Sequence, residues 1–443
     1  MRVLKFGGTS VGSAQRMKEV ADLIDDKHQK IVVLSAMAGT TNSLVEIANY
    51  LYQKNHDGAN EVINTLETKY EQVVDELFIS EAFKSRGRDL IKSHFEFIKS
   101  FTIDMFTVFE EKAILAQGEL ISTALFHFHL QEKGKQSALL PALDYMRIDK
   151  NNEPDGAYIK ENINKILKEQ EEQAVYITQG YICRNAFGEI DNLQRGGSDY
   201  SASLIGVAIE AEEIQIWTDI DGMHNNDPRY VENTKSISEL SFDEAAELAY
   251  FGAKILHPTS VLPAKLANIP VRLLNTMEPN AEGTLISSNQ RKERMAAVAA
   301  KDGITAIKIK SGRMLLAYGF LRKVFEIFES YKTPIDMITT SEVGVSVTID
   351  DNKHLDEIVN DLKKYGTVEV DNDQVIVCVV GDLVADNKGY ANTIFDAVKD
   401  IPIRMISYGG SNYNLSLLIS AKDKKKALNL LSDKLFNQET NEI

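Results

Sequence analysis

The stretch Arg2-Val3-Leu4-Lys5-Phe6-Gly7-Gly8-Thr9-Ser10 decides how this chain is read. Its branched apolar residues predict a strand, and the glycine pair ends that strand abruptly. Lys5 falls near the strand's end, beside backbone amides that no side chain of Gly7 or Gly8 shields. A cation next to bare N–H groups suits phosphate oxygens. The same arrangement returns in Arg195-Gly196-Gly197-Ser198-Asp199, so the chain carries two turns able to hold anions.

Between these turns, short apolar runs repeatedly end in small or polar residues. Ile31-Val32-Val33-Leu34 meets Ser35, Val175-Tyr176-Ile177-Thr178 meets Gln179-Gly180, and Ile214-Gln215-Ile216-Trp217 meets Thr218-Asp219. Helical patterns such as Met17, Val20, Ala21 and Ile24 separate them. Strands alternating with helices imply a largely parallel sheet, and ligands of such sheets bind beyond the strands' carboxyl ends. Val62, Leu66, Tyr70, Val73 and Leu77 form a helical stripe too short for a coiled coil, so packing against the domain is expected. Ser241-Phe242-Asp243-Glu244 reads as a capping box opening a helix, with Pro258 expected to close the following segment.

With 443 residues the chain exceeds one ordinary core and should form two to four units. Its net charge of −16 argues against a nucleic-acid surface, so any anionic substrate must be met by a few local cations. The two cysteines, Cys183 and Cys378, sit in or beside apolar runs and read as reduced thiols of a cytoplasmic protein. No apolar run approaches the roughly 20 residues of a membrane span, and no leader pattern precedes the first strand.

A polar stretch at Ser287-Ser288-Asn289-Gln290-Arg291-Lys292-Glu293-Arg294 suggests a boundary, and an internal repeat follows it. Gly319-Phe320-Leu321 leads to Val324-Phe325-Glu326-Ile327 and Ile335-Asp336-Met337-Ile338. Gly389-Tyr390-Ala391 leads likewise to Ile394-Phe395-Asp396-Ala397 and Ile403-Arg404-Met405-Ile406. The offset is 70 residues at the start and 68 at the end, and paired α+β units of this kind suggest regulation.

Five segments carry the chemistry: Lys5-Phe6-Gly7-Gly8-Thr9-Ser10, Gly118-Glu119, Arg195-Gly196-Gly197-Ser198-Asp199-Tyr200, Trp217-Thr218-Asp219 and Phe251-Gly252-Ala253-Lys254. In this order they resemble the signature set of aspartate kinases, in the amino acid kinase family, and the resemblance spans essentially the whole chain. It implies an α/β fold, an αβα sandwich with a mainly parallel sheet over residues 1–290, followed by two ferredoxin-like ACT domains. The first ACT domain is expected over 312–375, and the second from 303–311 together with 376–438. With no homoserine dehydrogenase segment following, the monofunctional type is expected. The implied reaction is ATP-dependent phosphorylation of the L-aspartate side chain to 4-phospho-L-aspartate, with Mg²⁺, opening the lysine, threonine and methionine pathway.

The residue chemistry agrees. Lys5 can neutralise charge on the transferring phosphoryl group, whose transition state spreads negative charge over its oxygens. Asp199 makes sense either as the group that orients Lys5, the role the resemblance implies, or as a reach toward Mg²⁺; standing alone it would read as a helix N-terminal Asp. Arg195 is a fork for an α-carboxylate, and Glu119 can accept from the amino group of the same amino acid. The resemblance adds Ser35, Thr41 and Ser198 to the aspartate site. It adds Gly7, Gly8, Thr218, Asp219, His224, Arg229 and Lys254 to the nucleotide site. His224 stands where tyrosine is frequent and Tyr181 where phenylalanine is common, while Asp227-Pro228-Arg229 also reads as an ordinary turn. No dedicated metal cluster and no Walker A pattern are evident.

In the first repeat Met314, Phe320, Leu321, Asp336, Thr340, Ser341 and Glu342 resemble the effector site of lysine-inhibited members, with threonine as the alternative effector. Asp336 suits an amino group, Ala317 departs from the serine of close relatives, and Thr339-Thr340-Ser341-Glu342 also reads as a turn. Edge-to-edge pairing of ACT units implies a homodimer or a dimer of dimers. The alternatives are another enzyme of the family, such as glutamate 5-kinase or uridylate kinase, and a non-catalytic amino-acid sensor.

Overall fold

The computed structural model describes residues 1–102, 106–193, 196–252, 256–289, 294–311, 318–383 and 388–437. The chain divides into two compact units, Met1–Met223 with Ile255–Ser288, and His224–Lys254 with Asn289–Ile443. The first unit ends at Ser288, and His224–Lys254, expected within a domain over 1–290, belongs to the second.

The first unit opens with β1 (Arg2–Phe6), β2 (Lys30–Leu34), β3 (Ser137–Leu140), β4 (Val175–Gln179), β5 (Ile182–Arg184), β6 (Ile190–Asn192) and β7 (Ile214–Thr218). After β8 (Glu239–Ser241), which lies in the second unit, β9 (Val271–Asn275) and β10 (Thr284–Ser287) return to the first. Within the first unit the sheet order runs β3-β4-β2-β1-β7-β9-β10. Every neighbour pair up to β9 is parallel, and β10 is antiparallel. The central strands are buried on both faces, as covered parallel sheets require, and β2 and β4 are buried throughout.

Register aligns the strand ends. Phe6 pairs with Leu34 and Trp217, and Leu34 pairs with Gln179. Gly7, Ser35, Gly180 and Thr218 therefore leave the sheet at nearly one level, which gathers the polar residues of four separate strands. Leu66, Tyr70, Val73 and Leu77 of the helix His56–Leu77 join one core with β1, β2 and the helix Gln117–Glu132, so that stripe packs internally.

In the second unit the capping box is present, with Ser241 and Glu244 exchanging side-chain and backbone bonds at the start of the helix Phe242–Tyr250. Pro258 opens the next helix, Pro258–Ala267 of the first unit, instead of ending one; the first helical position needs no backbone N–H. The repeat is visible in its helices, Phe320–Ser330 and Tyr390–Ala397, each capped by a left-handed glycine, Gly319 and Gly389.

These helices cover a sheet of β11 (Met295–Lys310), β12 (Ile338–Ser341), β13 (Gly344–Ile349), β14 (Thr367–Gly381), β15 (Ile403–Tyr408) and β16 (Asn414–Ser420). Its order is β12-β13-β11-β14-β16-β15, each pair antiparallel. The long strands β11 and β14 serve both repeats and change register together around Ile304 and Gln374. Thr305–Lys310 pairs with β13 and so belongs to the first module. The strand that completes the second module is Met295–Lys301, not the expected 303–311, because those earlier residues pair with Ile376–Gly381. Each module has its own apolar core.

Candidate active site

Lys5 lies one residue before the end of β1, and its ammonium sits 2.6 Å from Asp199 Oδ1, both side chains largely buried. Asp199 belongs to the first turn of the helix Gly197–Ala208, whose cap, Gly196, has φ +85°. Glycine is required there twice over: the φ is left-handed, and a Cβ would lie 2.1 Å from Ser260 Oγ. The helix start adds partial positive charge beside the Lys5 ammonium. Gly7 stands beside that ammonium: a Cβ there would be 3.5 Å from Lys5 Nζ, an ordinary contact distance. At Gly8 a Cβ would come 2.9 Å from the Ala36 carbonyl oxygen.

The second wall is built from the end of β2. Ser35 Oγ donates to Ser198 Oγ at 2.9 Å, while the Ser35 carbonyl accepts from Ser122 Oγ at 2.8 Å. Glu119 Oε1 accepts the Ala36 N–H at 3.2 Å, and its Oε2 is buried with no partner among the described residues. Burial pushes the Glu119 carboxyl up to about 7, against the pull of that backbone bond. Gly118 permits this approach, because a Cβ there would lie 2.8 Å from Ala36 Cβ. Gly8, Ser35, Thr41, Glu119, Gly197 and Ser198 share one pocket of about 570 Å³.

The site therefore joins an ion pair, two coupled hydroxyls and a buried carboxyl oxygen unpaired among the described residues. Such a pocket can hold an ammonium at Glu119 while directing anionic oxygens toward Lys5. Of the expected residues, Lys5, Gly7, Gly8, Ser35, Thr41, Glu119, Ser198 and Asp199 come together in the first unit. Thr218 and Asp219 end β7 at the same level of the sheet, with Thr218 Oγ1 accepting the Ile220 N–H at 3.0 Å. Arg195, Lys254 and Met314 lie outside the described residues.

The remaining expected residues belong to the second unit. His224 Nδ1 meets Thr234 Oγ1 at 3.0 Å. Arg229 grips Asp227 with Nε at 2.9 Å and Nη2 at 2.7 Å, and its side chain is 76% exposed, which matches the turn reading of that segment. Phe320 packs in the core of the first module, whereas Leu321, Thr340, Ser341 and Glu342 are exposed. Asp336 is buried and already engaged: Lys301 Nζ lies 2.6 Å from its Oδ1 and Tyr250 Oη donates to the same oxygen at 2.9 Å. Lys301 also meets Asp350 at 2.8 Å, and Asp336 Oδ2 has no partner among the described residues.

Sequence reasoning missed four participants: Tyr181, which lines the pocket, Ser260, which abuts Gly196, and the pair Lys301 and Tyr250 on Asp336. The tyrosine for phenylalanine at 181 was a signal at one of these positions.

Residues 1–275 match the model of the amino acid kinase family, and residues 377–435 match an ACT domain. The chain is 33% identical to the lysine-sensitive aspartokinase 3 of Escherichia coli (strain K12) over 98% of its length and 99% of the relative's. It is similar to the crystal structure of E. coli aspartokinase III in complex with aspartate and ADP (R-state), with a TM-score of 0.82 and 32% identity over 98% and 100% of the two chains. Its similarity to the same enzyme in complex with lysine and aspartate (T-state) gives a TM-score of 0.81 and 32% identity over 98% and 99%.

Proposed function

The chain belongs to the amino acid kinase family, among its aspartokinases, and we propose that it transfers the γ-phosphoryl group of ATP to the side-chain carboxylate of L-aspartate, giving 4-phospho-L-aspartate. The observation that carries this reading is the Lys5–Asp199 ion pair, with Asp199 following Ser198 of a pocket that Glu119 also lines, where one Glu119 oxygen is buried without a partner among the described residues. Glu119 takes the substrate's ammonium, Ser35, Thr41, Ser198 and Arg195 orient its carboxylates, and Lys5 bears against the transferring phosphoryl oxygens. Asp199 holds the lysine in place. The glycine turns, Thr218, Asp219 and Lys254 serve the nucleotide. Mg²⁺ accompanying the triphosphate would supply further neutralisation of its charge, with Asp199 the carboxylate beside Lys5 that could face it.

The nucleophile is a carboxylate, already ionised at neutral pH, so the site needs no general base. Rate enhancement rests on alignment and charge neutralisation. A coupled assay with Mg-ATP and L-aspartate, run beside L-glutamate and UMP as acceptors, tests the reaction. Aspartate-dependent turnover is expected; turnover only with another acceptor, or none, removes the reading.

The Glu119 carboxyl makes the reaction pH-dependent. Ammonium binding needs its ionised form, so KM for aspartate should fall as pH rises through about 7 and level off above it. The linkage to stability has the opposite sense. A carboxyl raised on folding keeps its proton longer than in the unfolded chain, so its contribution declines from roughly pH 4.5 toward 7. Glu119→Gln should raise KM for aspartate about tenfold or more, flatten this pH profile, and raise Tm more at pH 8 than at pH 5. A wild-type pH slope persisting in the variant refutes the assignment.

For regulation, L-lysine is the effector we favour, acting at the first module near Asp336 and β12. An incoming ammonium would there meet a carboxyl whose Oδ1 Lys301 already holds. Tyr250→Phe removes one donor from Asp336 but keeps the ring lying 4.6 Å from Lys301 Nζ. The lysine concentration for half-inhibition should shift about fivefold or more at unchanged basal turnover, the equivalent of one modest hydrogen bond. An unchanged inhibition curve takes Asp336 out of the effector site. The edge strand β12, with Ile338 43% exposed, is the surface on which a second copy would pair.

A further inference from the structure

We propose that Tyr181 selects the acceptor: its phenol hydroxyl donates a hydrogen bond to a carboxylate of the small amino diacid held between Glu119 and the Gly196–Gly197 turn. This rests on the acceptor reading above and names a residue and a contact that reading does not contain.

The backbone is held with care at this position. Tyr181 has φ +66°, a left-handed conformation that a bulky residue adopts only when its surroundings impose it. Two bonds impose it here: the Tyr181 N–H donates to Ser201 Oγ at 2.8 Å, and the Tyr181 carbonyl accepts from Leu193 N–H at 2.8 Å. Just before it, Gly180 passes so near Ser198 that a Cβ would lie 2.4 Å from the Ser198 side chain. The strained residue is thus set at the closest approach between the end of β4 and the helix that carries Ser198 and Asp199.

The ring lines the pocket. A Cβ on Gly197 would lie 3.9 Å from Tyr181 Cδ2, so one ring edge packs beside the glycine turn. At the other end, Glu119 is the charged group acting most strongly on the phenol. Ring and Glu119 thus line the same pocket, with the Gly197 turn beside one ring edge.

Its hydroxyl differs from those of the core tyrosines. Tyr70 and Tyr145 spend theirs on Thr40 at 2.9 Å and Thr178 at 2.6 Å. The Tyr181 hydroxyl makes no hydrogen bond among the described residues. Burial pushes the phenol up to about 12, so it is a neutral donor throughout the working pH range. Glu119 already answers the acceptor's ammonium; the groups still in need of donors are its carboxylates, and a neutral O–H bonded to a carboxylate is among the stronger pairings available.

The test is Tyr181→Phe in the full chain, which keeps the ring, its packing and its backbone bonds. Expected are a KM for L-aspartate raised about tenfold or more with KM for Mg-ATP unchanged, and a Ki for succinate, a competing diacid without the amino group, weakened by a similar factor. Thermal stability should not fall. An unaltered KM and Ki overturn the proposal. So does a variant in which Tm, kcat and both KM values decline together, because that pattern belongs to a structural tyrosine. Absence of aspartate-dependent turnover in the wild-type protein would instead strike the acceptor reading itself, and with it this contact.

Discussion

Lys5→Ala should lower kcat by about three orders of magnitude or more while changing KM for Mg-ATP less than about tenfold. The asymmetry follows from where the charge is needed. On the proposed reading, nucleotide affinity is spread over two glycine turns and the residues after β7, whereas charge on the migrating phosphoryl group is met at one point. The ammonium of Lys5 is held at that point, 2.6 Å from Asp199 Oδ1 and beside Gly7. Truncation also leaves Asp199 facing the phosphates uncompensated, so part of the loss is repulsion. The double variant Lys5→Ala/Asp199→Asn should therefore be no slower than Lys5→Ala alone. Steady-state assays separate the parameters; near-normal turnover in Lys5→Ala would show that the phosphoryl group is neutralised elsewhere.

Gly196→Ala is the second large effect, and it is one of geometry. Its φ of +85° costs an L-residue roughly 1–2 kcal/mol, and the new methyl would overlap Ser260 Oγ at 2.1 Å, a collision of the kind worth roughly 1–3 kcal/mol more. Ser260 Oγ can turn aside, but its Cβ would still lie 3.2 Å away and the backbone strain stays, so the turn shifts and Ser198 and Asp199 move with it. Misplacing such groups by about 1 Å is enough for a hundredfold loss of kcat/KM, and Tm should drop as well. Ser260→Ala removes the nearest atom but not the backbone strain, so the double variant should recover part of the activity and only part of the stability. If Gly196→Ala were fully active, the turn would not be the fixed element described here.

The catalytic half was legible because its chemistry sits at strand ends, and strand ends are written locally. Val3-Leu4-Lys5-Phe6 and Ile31-Val32-Val33-Leu34 declare themselves by composition, and in a parallel sheet their register alone brings Gly7 and Ser35 together. Glu119 was legible as a residue but not as a titrating one, since its environment depends on Ala36 and on Gly118 allowing close packing. The second unit was less readable. Lys301-Asp302-Gly303 looks like a turn, yet the chain continues as one strand through an irregularity with Gly303 at φ +75°. The capture of Asp336 by Lys301 joins residues 35 positions apart, and no periodicity encodes it. Likewise the placement of His224–Lys254 with the C-terminal half reflects tertiary packing, such as Glu247 accepting from Ser411 Oγ at 2.7 Å, that a linear motif cannot announce.

Because β11 and β14 each run unbroken through both repeats, neither repeat can be cut out along the chain without severing a strand the other needs. A fragment that begins at Thr305 strips the second repeat of its outer strand, and one that stops at Asp371 leaves Met295–Lys301 with nothing to pair against. Any self-sufficient regulatory piece must span Met295 through Phe436. The two repeats, though duplicated in sequence, fold as a single block.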